Sequence, residues 1–196
     1  CGSKKSSNKN NTSDDTITAT ETTAPFAITT EDGTYSQNDN VYTITHSGTY
    51  TLTGGLTGQI LVQNTDSTDT ADIVLELAGT TLKSDSDSPI KIVSTYNDVE
   101  ISVKKNTDNV IKDLRSTKTA DDSNQGEGAI YSKADLKIKG KGVLVVSATY
   151  NNGIITIDVT DAIATALKVN SNDNCAVVNG YNLTITAIKI IAGQAP

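Results

Sequence analysis

Tryptophan and methionine are absent from this chain of 196 residues, and Phe26 is its one phenylalanine against seven tyrosines. The missing indole excludes the flat tryptophan platform expected of a grip on crystalline cellulose. Histidine is represented by His46 alone, and the second cysteine, Cys175, lies more than a hundred residues from it. A thiol nucleophile needs a base beside it. Asn174-Cys175-Ala176-Val177 therefore reads as a small buried hydrophobe. No run of 18 apolar residues exists to cross a bilayer as a helix. The net charge of −7, with a pI near 4.6, disfavours nucleic acid, whose phosphates demand basic patches. About 36% of residues are apolar, enough for a narrow, elongated core within one domain and a tail.

The start, Cys1-Gly2-Ser3-Lys4-Lys5, has no initiating methionine and resembles a mature bacterial lipoprotein, cut before a cysteine that is then diacylated. That resemblance implies lipidation at Cys1 and a place on the extracellular face of the cell membrane. Two acyl chains suffice for anchoring at roughly 0.8 kcal/mol per buried CH₂. Lys4, Lys5 and Lys9 would lie over an anionic leaflet or serve solubility. Residues 2–24 are dominated by Ser, Thr, Asn, Lys and Asp, with Ile17 the only large apolar side chain. Such a segment buries too little to offset its ordering entropy and reads as a disordered tether. The expected boundaries are thus a tether over 1–24 and a folded domain over 25–196, with order starting near Pro25-Phe26.

Beyond the tether no window carries helical periodicity. Short runs rich in Val, Ile and Thr recur, among them Ile73-Val74-Leu75-Glu76-Leu77 and Val99-Glu100-Ile101-Ser102-Val103, separated by Gly, Asn, Asp and Ser. Three segments starting at Gly128, Gly153 and Cys175 align at offsets of 25 and 22 residues. This register predicts columns Ile130/Ile155/Val177, Leu136/Ala162/Leu183, Ile138/Ala164/Ile185, Val143/Leu167/Ile188 and Val145/Val169/Ile190. Asp135, Asp161 and Asn182 precede the core pairs. Earlier rungs fit through Ile90 above Ile130, and Asp72 and Asp98 above Asp135. A polar repeat of this length with short strands predicts an all-β, right-handed parallel β-helix of about five turns, the first two irregular. A β-sandwich is the rival. Residues 112–127 lengthen one turn and predict a protruding loop.

The string Gly126–Ile154, with its Ala-Ile-Tyr-Ser-Lys-Ala-Asp-Leu run and Tyr150-Asn151-Asn152-Gly153-Ile154, closely resembles the carbohydrate-binding domain-containing lipoproteins of clostridia and related bacteria. Gly48–Gln63 and Asp72–Ile92 look similar to the same family, so the resemblance covers roughly residues 40–155. It implies a parallel β-helix shaped like pectate lyases, calcium binding, and affinity for cellulose or acidic plant polysaccharides such as polygalacturonate. Two departures stand out: Thr156–Asp161 replaces the family's further Lys-Asp-Asp-Leu-like turns, and family members are typically longer than this chain.

Calcium requires six to eight hard oxygen ligands. No EF-hand loop occurs, but Asp113, Asp121, Asp122, Asn124 and Glu127 sit in the insertion, Asp135 follows it, and Asn151, Asn152, Asp158 and Asp161 lie one turn on. The ligand set expected is Asp121, Asp122, Glu127, Asp135, Asn151, Asn152, Asp158 and Asp161; the plainer reading of each is a turn residue. For sugar, Tyr131, Tyr150 and Tyr181 offer rings at strand or turn edges, and Lys133, Lys137 and Lys139 offer cations to a carboxylated chain. The plainer reading is that they cover core ends and protect strand edges. For catalysis, Lys133 is the best base for a lyase and Arg115 the only arginine, but nothing reaches a motif. The reading is a non-catalytic, calcium-assisted binder of polysaccharide. Its alternatives are a pectate-lyase-like enzyme and an adhesive surface protein.

Overall fold

The computed structural model describes residues 18–120 and 122–155, together with the backbone of four later strands. The described residues are all β, with no helix among them. The strands form a ten-stranded and a seven-stranded sheet. Two strands at the start, β1 (Ala27–Thr29) and β2 (Tyr35–Asn38), pair antiparallel with β4 (Gly48–Thr57) and β3 (Val41–Ile44), respectively. All the other strand pairs are parallel.

The parallel strands divide into three faces that the chain visits in rotation. The first face is β3 (Val41–Ile44), β5 (Gln59–Gln63), β7 (Ile90–Ser94), β10 (Gly128–Ser132), β13 (Asn152–Ile155) and β15 (Ala176–Val177). The second holds the front halves of β4 (Gly48–Thr57) and β6 (Ile73–Ser84), then β8 (Val99–Val103), β11 (Leu136–Gly140) and β16 (Leu183–Ile185). The third holds the back halves of β4 and β6, then β9 (Asp108–Asp113), β12 (Val143–Ala148), β14 (Ala166–Ser171) and β17 (Lys189–Gly193). Gly54, at φ +79°, lies where the ladder between β4 and β6 shifts register, so one long strand can turn from the second face to the third.

Alternation fills the centre. Along β8 the inward Val99, Ile101 and Val103 are buried, while Glu100 and Ser102 are part-exposed. Stacking repeats each inward residue on its neighbour: Ile60, Ile90, Ile130 and Ile154 form one column, and Ile73, Val99 and Leu136 another. One rung cannot bury its own apolar edge, so the first rung is closed by other means. Phe26, Ile28, Tyr42 and Leu56 pack against the core there, and the Phe26 and Tyr42 rings meet edge-on at 4.9 Å. Tyr50 is fully buried with its hydroxyl satisfied: it accepts from Thr34 N at 2.8 Å and donates to His46 O at 2.6 Å.

The expected rungs of Ile90, Asp98 and Asp72 hold: Ile90 pairs with Ile130, and Ile73 and Leu136 both pair with Val99. Three columns slip in register. Ile130 pairs with Ile154, not Ile155; Leu144, not Val143, pairs with Leu167; and Val146, not Val145, pairs with Val169, while Ile190 pairs with Leu167 rather than Val169. Leu144 and Val146 are therefore the buried pair of β12, and Val143 and Val145 face outward. In a run of four apolar residues the period of two has no polar partner to set its phase. Leu136 and Ile138 pair directly with Leu183 and Ile185, without the intermediate rung expected at Ala162 and Ala164, which lie outside the described residues. Ordered contacts also reach further into the polar N-terminal segment than Pro25. Thr20 N donates to Asp108 Oδ2 and Thr22 N to Thr81 Oγ1, both at 2.9 Å.

Candidate functional site

Short strands of a parallel stack expose little except their corners, so corner composition decides what the molecule can touch. The corner between the first and second faces comprises the segments after β5, β7 and β10. Asparagine builds it from inside. Asn64 and Asn97 are almost fully buried, and Asn64 Nδ2 donates to Asn97 Oδ1 at 2.8 Å. Asn97 Nδ2 donates onward to Ala71 O at 2.6 Å and Asp69 O at 2.9 Å. Asn64 Oδ1 accepts from Asp66 N, and Thr95 Oγ1 bonds Asn97 Oδ1, so the amides are spent on holding turns. In the next rung Ser132 Oγ donates to Ala134 O at 2.8 Å. Rigid turns leave the adjacent side chains no inward slot, and Tyr96 stands 55% exposed.

A shallow depression of about 370 Å³ lies on the first-face side of this corner, lined by Asn64, Thr65, Val93, Ser94, Thr95, Tyr96 and Lys133. It joins one aromatic ring, one ammonium group and several hydroxyls, the complement of a sugar's C–H face and hydroxyl rim. A second depression of about 330 Å³ lies on the second-face side, lined by Asp72, Asp98, Glu100, Asp135, Lys137 and the backbone around Val99 and Leu136. Its three aspartates stack in successive rungs, because Ile73 N donates to Asp98 O and Val99 N to Asp135 O. Adjacent rungs are about 4.8 Å apart, so this edge is a column of carboxylates interrupted by Lys137, the register partner of Glu100. Lys139 Nζ pairs with Glu100 Oε1 at 3.1 Å. Nearby, hydrogen bonds from Ser47 hold the Asp69 carboxyl below its ordinary range, and those from Thr68 do the same for Asp66.

Lys133, Asp135 and Lys137 thus share one corner. The other described candidates sit elsewhere, and Asn151 and Asn152 are occupied in holding the insertion down. Arg115 and Asp113 form a buried pair: Nε donates to Asp113 Oδ1 at 2.8 Å and Nη2 to Oδ2 at 2.6 Å. Asn151 Nδ2 donates to Asp113 Oδ2, and Asn151 Oδ1 accepts from Thr119 N. Asn152 Nδ2 donates to the backbone carbonyl of Glu127. Burial pushes the Asp87 carboxyl up, but Lys91 Nζ at 2.9 Å and the Gly126 and Ser88 N–H groups outweigh it and leave it below the ordinary range. Tyr131 is half-buried against Gly126. Asp122 and Asn124 are exposed, and Tyr150 is 48% exposed. The insertion is therefore pinned through Arg115, Thr119 and Gly126 rather than projecting freely along its length.

Cys1, Asp121, Asp158, Asp161, Cys175 and Tyr181 lie outside the described residues. Among the described residues no three Asp, Glu, His or Cys side chains converge to hold a metal ion, so the expected calcium set is not assembled by its described members alone. Sequence reasoning missed Tyr96. The signal available was its position in Thr95-Tyr96-Asn97-Asp98, a turn between two strands where a ring must point outward.

A family model described as carbohydrate-binding domain-containing protein matches residues 38–194. Among curated proteins, a carbohydrate-binding domain-containing protein of Acetivibrio thermocellus is 38% identical over 115 residues, which is 58% of this chain and 39% of that protein. The chain therefore spans about two fifths of the length of the curated relative it matches. No solved structure matches it.

Proposed function

The chain belongs to the family of carbohydrate-binding domain-containing proteins, and from that premise we propose that its Tyr96–Lys133 corner holds a polysaccharide chain without cleaving it. The observation carrying this is the depression in which an exposed tyrosine ring, an ammonium group and threonine and serine hydroxyls converge on a turn made rigid by buried asparagines. Stacking of the ring on a sugar face supplies affinity, and the fixed hydroxyls set orientation. Preorganisation matters because each immobilised side chain otherwise costs about 0.5–1.5 kcal/mol on binding.

The architecture is read as a right-handed parallel β-helix over residues 25–196. Supporting it is the rotation of the chain through three faces, with each strand paired to its counterpart one turn on. The hand follows from the preference of parallel crossover connections. Such a stack offers a repeating polymer a repeating surface. An acidic chain suits Lys133 and Lys137, yet it also meets the column of Asp72, Asp98 and Asp135. Calcium enters the proposal here, as an ion bridging those carboxylates to uronate rather than one caged by the protein.

Calorimetric titration of the protein with polygalacturonate, in 1 mM calcium and again in EDTA, and a pull-down on insoluble cellulose test the reading. Binding lost in EDTA supports the calcium-bridged acidic chain, and binding to cellulose alone supports a neutral one. Absence of binding to both, from folded protein, overturns it.

A further inference from the structure

Residues 18–24 form a polar strap across the third face. Its backbone is tied at three points: Thr20 N to Asp108 Oδ2 and Thr22 N to Thr81 Oγ1, both at 2.9 Å, and Ala24 O from Gly55 N at 2.8 Å. At its centre, Glu21 divides its carboxylate between two lysines: Oε2 is 2.8 Å from Lys83 Nζ and Oε1 is 2.6 Å from Lys112 Nζ. Lys83 and Lys112 are register partners on neighbouring strands. The inter-strand spacing of about 4.8 Å therefore sets the two ammonium groups at the bite of one carboxylate. Val110 lies beneath. Its chain neighbour Ile111 points into the core, so Val110 points out, yet it is only 2% exposed, and its register partner Thr81 only 3%. The strap crosses between Asp108 and Lys112, directly over this valine. Thr18, Thr20 and Thr23 in the strap are exposed, so polar contacts hold it rather than burial of its own side chains.

We infer that Lys83 and Lys112 form a carboxylate-binding subsite on the third face, and that Glu21 occupies it as an internal stand-in for a carboxylate of an acidic polymer. The subsite itself follows from the geometry of the strap; that its external ligand is an acidic polysaccharide rests on the function proposed above. One carboxylate oxygen per ammonium, on a rim of Thr81 hydroxyl and over an apolar floor, is the arrangement a uronate would meet. A tethered occupant acts at an effective concentration in the millimolar range. A single free carboxylate therefore competes poorly, whereas a polymer with many carboxylates can displace the strap. The strap thus makes this face selective for polymer over monomer.

The test compares the full chain with Glu21→Gln and with Glu21→Gln/Lys83→Gln/Lys112→Gln, each titrated with polygalacturonate in EDTA. Hydrogen exchange at the Thr20 and Thr22 amides reports whether the strap is open. The expected result is faster exchange in Glu21→Gln with affinity for the polymer raised about 5-fold or more, the low end of ordinary coupling, and loss of that gain in the triple variant. Faster exchange without a gain overturns the subsite. Unchanged exchange overturns the role of Glu21 as its occupant. A Tyr96→Ala/Lys133→Gln variant, titrated in parallel, reports separately on the corner site. Failure of that reading leaves the Glu21 comparison intact, because the two sites lie on different faces and this one needs no calcium.

Discussion

Arg115→Met is the perturbation with the largest consequence worked from the geometry. The wild-type guanidinium gives two charge-assisted bonds to Asp113 and further bonds to Thr119 Oγ1 at 2.8 Å and Gly126 O at 2.6 Å. Asp113 and Arg115 are 3% and 6% exposed. Methionine fills much of the volume but leaves the Asp113 carboxylate buried with Asn151 Nδ2 and the Arg115 backbone N–H as donors. Removing one partner of such a pair costs about 3–5 kcal/mol, a large fraction of a total stability of about 5–15 kcal/mol. With a urea slope of about 2 kcal/mol per molar, the unfolding midpoint falls by about 2 M. The double variant Asp113→Leu/Arg115→Met removes the stranded charge and should recover about 2 kcal/mol, although the Gly126 carbonyl still lacks its donor. Equilibrium urea unfolding followed by far-ultraviolet circular dichroism measures both. A single variant costing less than about 1 kcal/mol, or a double variant no better than the single, refutes the argument that a buried ion pair pins the insertion.

Tyr96→Ala should weaken polysaccharide binding about 10-fold, the scale of an aromatic anchor, without moving the melting temperature; Lys133→Gln should weaken binding of a charged polymer only. Both are read by calorimetry. The hydrogen bonds and charges of Lys112 and Lys83 hold the Glu21 carboxyl below the ordinary glutamate range, with Asp108 the other charged group against the strap. Its contribution is therefore full above the ordinary glutamate range and is lost as pH falls through the lowered value, so exchange at the Thr20 amide, corrected for intrinsic rate, should accelerate only in acid. Gly140→Ala should cost more than Gly79→Ala in thermal unfolding. Both glycines have positive φ, at +128° and +91°, but a Cβ at Gly140 meets Val103 O at 2.2 Å while one at Gly79 meets nothing within 4 Å. Ile101→Ala, in a fully buried column, should cost about 2–5 kcal/mol in the same measurement.

Much of this was legible in the chain because β alternation with polar punctuation marks inward positions unambiguously. Asp98-Val99-Glu100-Ile101 stands over Asp135-Leu136-Lys137-Ile138 as the pattern requires. Where that punctuation fails, as in Val143-Leu144-Val145-Val146, phase was lost and the inward pair was misplaced by one residue. The site divided similarly. Lys133, Asp135 and Lys137 are close in sequence and fall on one corner, whereas Tyr96 and Asn64 join them only through stacking. Asn151 looked like a possible ligand, but its amide is committed to Asp113 and Thr119, partners more than 30 residues away that no local pattern reveals. Glu21 resembled its neighbours in a polar run; its two lysines are neighbours only once β6 and β9 have paired.

Ile60, Ile90, Ile130 and Ile154 stand in one column although they are unevenly spaced along the sequence. The segments between rungs therefore absorb differences in length without disturbing the ladders on either side. Scaffold and recognition are decoupled: an added or deleted corner residue alters the outline met by a ligand and leaves the packing of the centre as it was. A fold of this kind can drift among ligands by trading corner segments, with the stacked columns serving as a constant spine.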